Sequence, residues 1–153
     1  MITLGSEKDT LALGAALAGQ AQRGDVIALS GPLGAGKTTL ARGFIQALAD
    51  RDEEVVSPTF TLVQVYDAGA APIWHFDLYR LKTADEALEL GFEEALATGI
   101  SLIEWPERLG GLLPSARLDV VLSPRGRGRA AELSGEPAWT ERIAAVSKYV
   151  SRA

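Results

Sequence analysis

The sequence predicts an α/β fold in three layers, with a mixed, mainly parallel central sheet that also carries antiparallel strands. Three observations predict it. Gly31 to Thr38 reads G-P-L-G-A-G-K-T and fits G-x-x-x-x-G-K-[ST], a phosphate-binding loop (P-loop). An apolar, strand-like run from Val26 to Leu29 precedes that loop, and a helix carrying Leu40, Phe44 and Leu48 on one face follows it. Two further apolar runs end in carboxylates, Asp77 and Glu104, and the short turn-rich stretch before the first of them predicts an antiparallel hairpin. In such a sheet ligands bind beyond the carboxyl ends of the strands, so one site can collect Lys37, Thr38, Asp77 and Glu104. This is the plan of a P-loop nucleoside triphosphatase.

The elements follow in chain order. Residues 6–23 read as a first helix, with Ser6 and Asp9 at capping spacing and Leu13, Leu17 and Ala21 sharing a face. Thr10 reads as an exposed first-turn residue rather than a hydroxyl near a ligand. The helix after the loop runs from Thr38 to Ala49, and Asp50 to Glu54 reads as a solvated charged turn. Ser57-Pro58-Thr59-Phe60 is extended or loop because proline disfavours helix before it. Thr59 or Ser57 there is a γ-phosphate sensor, or the stretch is a plain Ser-Pro turn; both readings stand. Thr61 to Tyr66 and Ile73 to Tyr79 form the predicted hairpin, with Ile73, His75, Asp77 and Tyr79 on one face of the second strand. His75, the single histidine, reads as structural.

Thr83 to Glu86 has capping-box spacing and opens a helix through Leu90, which Gly91 separates from Phe92 to Leu96. Ile100 to Trp105 is a buried strand stopped by Pro106, Leu109 to Pro114 a loop, and Leu118 to Leu122 and Ala130 to Leu133 are strands. Between the last two lies Pro124-Arg125-Gly126-Arg127-Gly128-Arg129, the only concentrated positive charge. It covers the nucleotide, contacts RNA, or is a basic turn. From Pro137 a last helix carries Trp139, Ile143, Val146 and Val150 for packing.

The chain's 153 residues, 47% hydrophobic and 23% charged, suit one domain spanning 1–153. Without cysteine it has neither a disulfide framework nor a thiolate metal site. The net charge of −5 argues against broad electrostatic binding to nucleic acid. No basic-then-apolar leader opens the sequence, and no apolar run approaches the ~20 residues of a membrane helix. The expectation is a cytoplasmic protein with no membrane association.

Each loop position has a chemical reason. Glycines 34 and 36 let successive N–H groups, from Leu33 through Ala35 to Thr39, converge on one anion, with a helix N-terminus beneath it. Lys37 reaches β- and γ-phosphates, and the Thr38 hydroxyl can ligate Mg²⁺. Asp77 reads as a carboxylate holding Mg²⁺, against a surface strand-end aspartate. Glu104 reads as the group that holds metal-bound water or orients the attacking water. Trp105 by itself reads as packing.

With G-P-L-G-A-G-K-T-T, S-P-T-F-T-L-V, H-F-D-L-Y-R followed by Leu81, E-L-G-F (Glu89 to Phe92) and I-E-W-P-E in this order, the sequence resembles the bacterial tRNA threonylcarbamoyladenosine biosynthesis ATPases, the TsaE family. That family usually has Asp where Pro32 stands, a position that should not alter phosphate chemistry. The resemblance implies a small ATPase using ATP and Mg²⁺. It implies partnership with a threonylcarbamoyl transferase (TsaD-type) and its inactive paralogue (TsaB-type), which together modify adenosine 37 of tRNA. Hydrolysis would reset that complex between turnovers. By matched position Thr38, Asp77 and Glu104 would serve the metal and water, and Lys37 the phosphates. Thr59 would lie in a switch-like loop, Trp105 beside the site, and Thr10 and Arg129 by the nucleotide. Two other readings stand beside it: a small-molecule kinase with Arg125, Arg127 and Arg129 as a lid, and a nucleotide-dependent protein-binding switch. No N-K-x-D guanine motif is present, which disfavours a GTPase.

Overall fold

Strand β2 (Val26–Ser30) and strand β5 (Ile100–Glu104), apolar but for Ser30, Ser101 and Glu104, occupy the middle of the sheet. β5 is buried at every residue, as a strand covered on both faces must be. The computed structural model describes residues 1–49 and 53–151, with side chains as far as Lys148. Asp50 to Asp52 of the expected charged turn, and the side chain of Val150, lie outside the described residues.

Around that centre the described residues form a seven-stranded sheet of order β1-β7-β6-β2-β5-β4-β3. Its outer members are β1 (Ile2–Leu4), β3 (Val63–Tyr66), β4 (Ile73–Asp77), β6 (Leu118–Arg125) and β7 (Gly128–Gly135). The four middle strands β6, β2, β5 and β4 are parallel, while β3, β7 and β1 pair antiparallel with their neighbours. Expected mixed topology and expected hairpin are both present. Helices α1 (Glu7–Gln20), α2 (Lys37–Leu48) and α5 (Thr140–Ser151) cover one face, where Leu13, Leu17, Leu40 and Phe44 pack with Ile27, Leu29 and Leu102. On the other face α3 (Glu86–Glu89), α4 (Phe92–Thr98) and a 3₁₀ helix (Pro106–Leu112) bury Phe76, Leu78, Phe92, Ile103 and Leu109. The result is three layers.

Several boundaries differ from the sequence reading. α1 ends at Gln20, because Ala21 is already extended. The strand expected from Thr61 begins at Val63: Leu62 has φ 68°, a left-handed conformation that a strand does not accept. Its partner ends at Asp77, since the Asp77 carboxylate accepts the Tyr79 N–H and turns the chain. The helix expected from the Thr83 capping box is only Glu86–Glu89, although Glu86 accepts the N–H groups of Lys82 and Thr83 as that box requires. The stretch expected as a loop from Leu109 is 3₁₀ structure as far as Leu112, broken by a kink at Gly110 (φ 52°, ψ −126°), and Leu109 is fully buried. β1 was not foreseen; its three residues pair with Ala131, Ala130 and Arg129.

The basic run resolves into a tight hairpin. Arg125 pairs with Gly128 across Gly126 and Arg127, so the end that carries Arg125 and Arg127 is a turn. Arg129 lies one step inside β7.

Candidate functional site

The phosphate loop links β2 to α2, so its position follows from the sheet. A cavity of about 260 Å³ opens beyond the strand ends, lined by loop residues Leu33, Gly34, Gly36, Lys37, Thr38 and Thr39. The opposite wall comes from Ser57, Thr59, Asp77, Tyr79, Glu104 and Trp105, with Arg129 beside the loop. Gly34 (φ 77°) and Gly36 (φ 103°) hold the left-handed conformations that turn the loop, and a β-carbon at Gly36 would come within 2.7 Å of the Arg129 guanidinium.

Parallel pairing sets the acidic side. Asp77 and Glu104 are Cα partners at the ends of β4 and β5, and Leu29 of β2 pairs with Glu104 on its other side. Thr38, one residue into α2, donates from Oγ1 to Glu104, 3.1 Å from each carboxylate oxygen. His75 Nε2 lies 2.6 Å from Glu104 Oε2, a hydrogen bond between two buried side chains. Asp77 accepts from Thr59 Oγ1 at 3.4 Å, and Thr59 is 2.7 Å from Ser57 Oγ. Burial holds the Asp77 carboxyl above the usual carboxylate range, and the nearby Glu104 charge adds to this.

Lys37 is almost enclosed. Its ammonium donates to the carbonyls of Gly31 at 2.5 Å and Pro32 at 2.9 Å, and lies 4.1 Å from the centre of the Trp105 ring. Burial lowers its proton affinity, while Glu104, Asp77 and Glu107 oppose that shift. Trp105 reaches this place from a left-handed backbone (φ 60°, ψ 51°) just before Pro106, a strained geometry costing roughly 1–3 kcal/mol. Strand β5 ends there, and the indole folds over the loop.

Of the residues singled out in the sequence, Leu33, Gly34, Gly36 to Thr39, Thr59, Asp77, Glu104, Trp105 and Arg129 border this cavity. Thr10 and Ala35 do not; both are buried. Thr10 is not the exposed residue its helix position suggested, and its hydroxyl accepts from Arg129 Nη1 at 3.3 Å. It thus braces the arginine that leans on Gly36. Ser57, the other hydroxyl of the sensor reading, joins the wall, and so does Tyr79, which sequence reasoning missed; its signal was its place on the Asp77 face of the strand.

The chain matches the model of the family described as threonylcarbamoyl adenosine biosynthesis protein TsaE over residues 4–131. It belongs to the TsaE family. A tRNA threonylcarbamoyladenosine biosynthesis protein TsaE of Rickettsia conorii is 44% identical over 122 residues, covering 80% of this chain and 70% of that protein. The TsaE protein of Nostoc is 42% identical over 139 residues, covering 87% and 84%, and that of Bacillus subtilis 39% over 120 residues, covering 78% and 74%. The crystal structure of Bacillus subtilis YdiB superposes with a TM-score of 0.73 at 29% identity, covering 94% of this chain and 90% of that one. The family is involved in tRNA threonylcarbamoyladenosine biosynthesis. Among the described residues no helix is long and apolar enough to cross a membrane.

Proposed function

We propose that this chain is an Mg²⁺-dependent ATPase whose hydrolysis serves threonylcarbamoyl modification of adenosine 37 in tRNA. Its partners would be the threonylcarbamoyl transferase and its paralogue. The observation that carries the reading is the Thr38–Glu104 hydrogen bond directly behind the phosphate loop, with Asp77 on the same rung of the sheet. A hydroxyl and two carboxylates are hard oxygen donors of the kind Mg²⁺ takes. Among the described residues no group of three or more His, Cys, Asp or Glu could hold a metal alone. Mg²⁺ is commonly bound through one or two carboxylates together with substrate phosphates. Burial, and after it the Glu104 charge, raise the proton affinity of Asp77, and a divalent cation beside the two carboxylates would offset both.

Thr38, Glu104 and Asp77 would hold the ion, which supplies charge neutralisation at the β- and γ-phosphates. The loop N–H groups and the start of α2 orient the triphosphate, and Lys37 leaves its two carbonyls to meet it. Glu104 would orient water in line with the γ-phosphate, and Thr59, hydrogen-bonded to Asp77 on the cavity wall, would sense it. Positioning and fixed charge supply most of the acceleration. Lys37 and Arg129 are the cations of the lining, both on the loop side; the opposite wall carries none. Turnover by the chain alone is therefore weak and rises with the partner complex.

The test is ATP hydrolysis by wild type, Lys37→Ala and Glu104→Gln, each with and without the transferase pair. Wild type should be stimulated by the pair. Lys37→Ala should lose binding and turnover. Glu104→Gln should keep nucleotide binding and lose hydrolysis by at least ~10²-fold. Partner-independent, vigorous turnover, or normal hydrolysis by Glu104→Gln, would overturn this reading. Nucleotide-dependent binding to the pair without any hydrolysis would favour a protein-binding switch.

A further inference from the structure

His75 has no part in the reading above, yet it touches the residue at the centre of it. It stands two residues before Asp77 on the same face of β4, opposite Leu102 of β5. Its imidazole therefore lies one step deeper than the carboxylates, wholly buried, and reaches back to Glu104. Nε2 is 2.6 Å from Oε2, while Nδ1 has no hydrogen-bond partner among the described residues. The neutral tautomer with its proton on Nε2 leaves no buried donor unpaired, so the geometry selects it. Glu104 is itself only 3% exposed, and a buried carboxylate needs such donors. Two of them, Thr38 Oγ1 and His75 Nε2–H, come from different elements and approach the same carboxylate.

We propose that His75 is a positioning residue: it donates Nε2–H to Glu104 Oε2 and fixes the carboxylate plane, so that Oε1 and the Thr38 hydroxyl face the cavity together. This rests on the hydrolytic reading of Glu104, but the contact is measurable apart from hydrolysis. The role resembles that of groups behind metal ligands, whose loss costs about 10–100-fold in affinity or activity.

Because the chain has one histidine, its ring gives one set of ¹H–¹⁵N long-range correlations. In metal-free protein these should report the Nε2–H tautomer, and Glu104→Gln should move that resonance. A proton on Nδ1, or a resonance indifferent to Glu104→Gln, would overturn the proposal even if the protein hydrolyses ATP as expected. In partner-stimulated assays His75→Leu should lower kcat about 10–100-fold with KM for ATP within about threefold. His75→Gln, which retains a donor near the Nε2 position, should recover most of that loss. Wild-type kcat in folded His75→Leu, or equal damage in both variants, would sink the proposal. Should the wild type fail to hydrolyse ATP even with the pair, the functional reading fails and the resonance arm still decides the contact. Should His75→Leu not fold, the Gln variant and the wild-type spectrum decide it.

Discussion

Asp77 shows most directly how a residue's placement in the proposed site opposes stability. Its carboxyl is raised chiefly by burial and further by Glu104, against the pull of the Tyr79 N–H, Thr59 and His75. An acid with a raised native value binds its proton more tightly folded than unfolded. Its charge therefore disfavours folding above that raised value, and the penalty fades as pH falls through it towards the ordinary carboxylate range. Asp77→Asn should melt higher than wild type at pH 7 in EDTA, and the gain should vanish in acid, where both chains carry a neutral group. Thermal melts across pH 3–8 check this; an equal or lower melting temperature at pH 7 would refute it. The sequence disclosed Asp77 and Glu104 because each ends an apolar run, where an ionised group needs a reason. It did not disclose the role of His75. Alternation placed that ring on the Asp77 face, but only the folded structure shows that the imidazole, on the rung opposite Leu102, reaches back to Glu104.

At the level of elements, the phosphate-loop helix is held by backbone contact as much as by side chains. A β-carbon on Gly14 of α1 would come 2.2 Å from the Leu40 carbonyl oxygen, and one on Gly43 of α2 would come 2.3 Å from that of Leu11. The two helices thus touch main chain to main chain, which sets where the N-terminus of α2 points. Gly43→Ala should force them apart at a cost of about 1–3 kcal/mol. For a chain of this length that lowers the melting point by roughly 2–4 °C per kcal/mol. Nucleotide affinity should fall with it, because the loop moves with its helix; a denaturation curve and a nucleotide titration test the two effects. An unchanged midpoint would mean that the interface relaxes freely. Helix existence was legible from Leu40, Phe44 and Leu48, whereas this contact was not. Glycine reads as a weak helix residue in one dimension and as a close approach only in three.

Across the whole molecule, the last helix ties the C-terminal segment to the sheet. The family match ends at residue 131, yet β7 continues to Gly135 and α5 follows. Arg142 of α5 pairs with Asp25 at 2.6 Å, donates to the Gln20 carbonyl and lies 3.5 Å from the Trp139 ring centre. Asp25 directly precedes β2, so this one guanidinium binds the end of the chain to the strand that feeds the phosphate loop. Both side chains are largely buried, and Arg142→Ala should destabilise by about 3–5 kcal/mol while leaving nucleotide affinity of the folded fraction unchanged. Chemical denaturation alongside nucleotide binding distinguishes that from a role in the site. Periodicity revealed the helix and Trp139 as packing, but a pair 117 residues apart leaves no local trace. The same holds for β1, three residues long and too short to show a period, which is defined by its partner β7.

The rung shared by Asp77 and Glu104 also decides where this chain can change length. Pairing, not the number of residues between them, sets their separation. The turn at 67–72 can therefore grow or shrink at its open end while the two carboxylates keep their distance. A single residue gained between Ile73 and Asp77 is a different event. Side chains alternate with period two, so it would carry one set to the opposite face, trading a carboxylate above the loop for an apolar ring or a core charge. Insertions are thus tolerable by the turnful in one place and not even singly in the next.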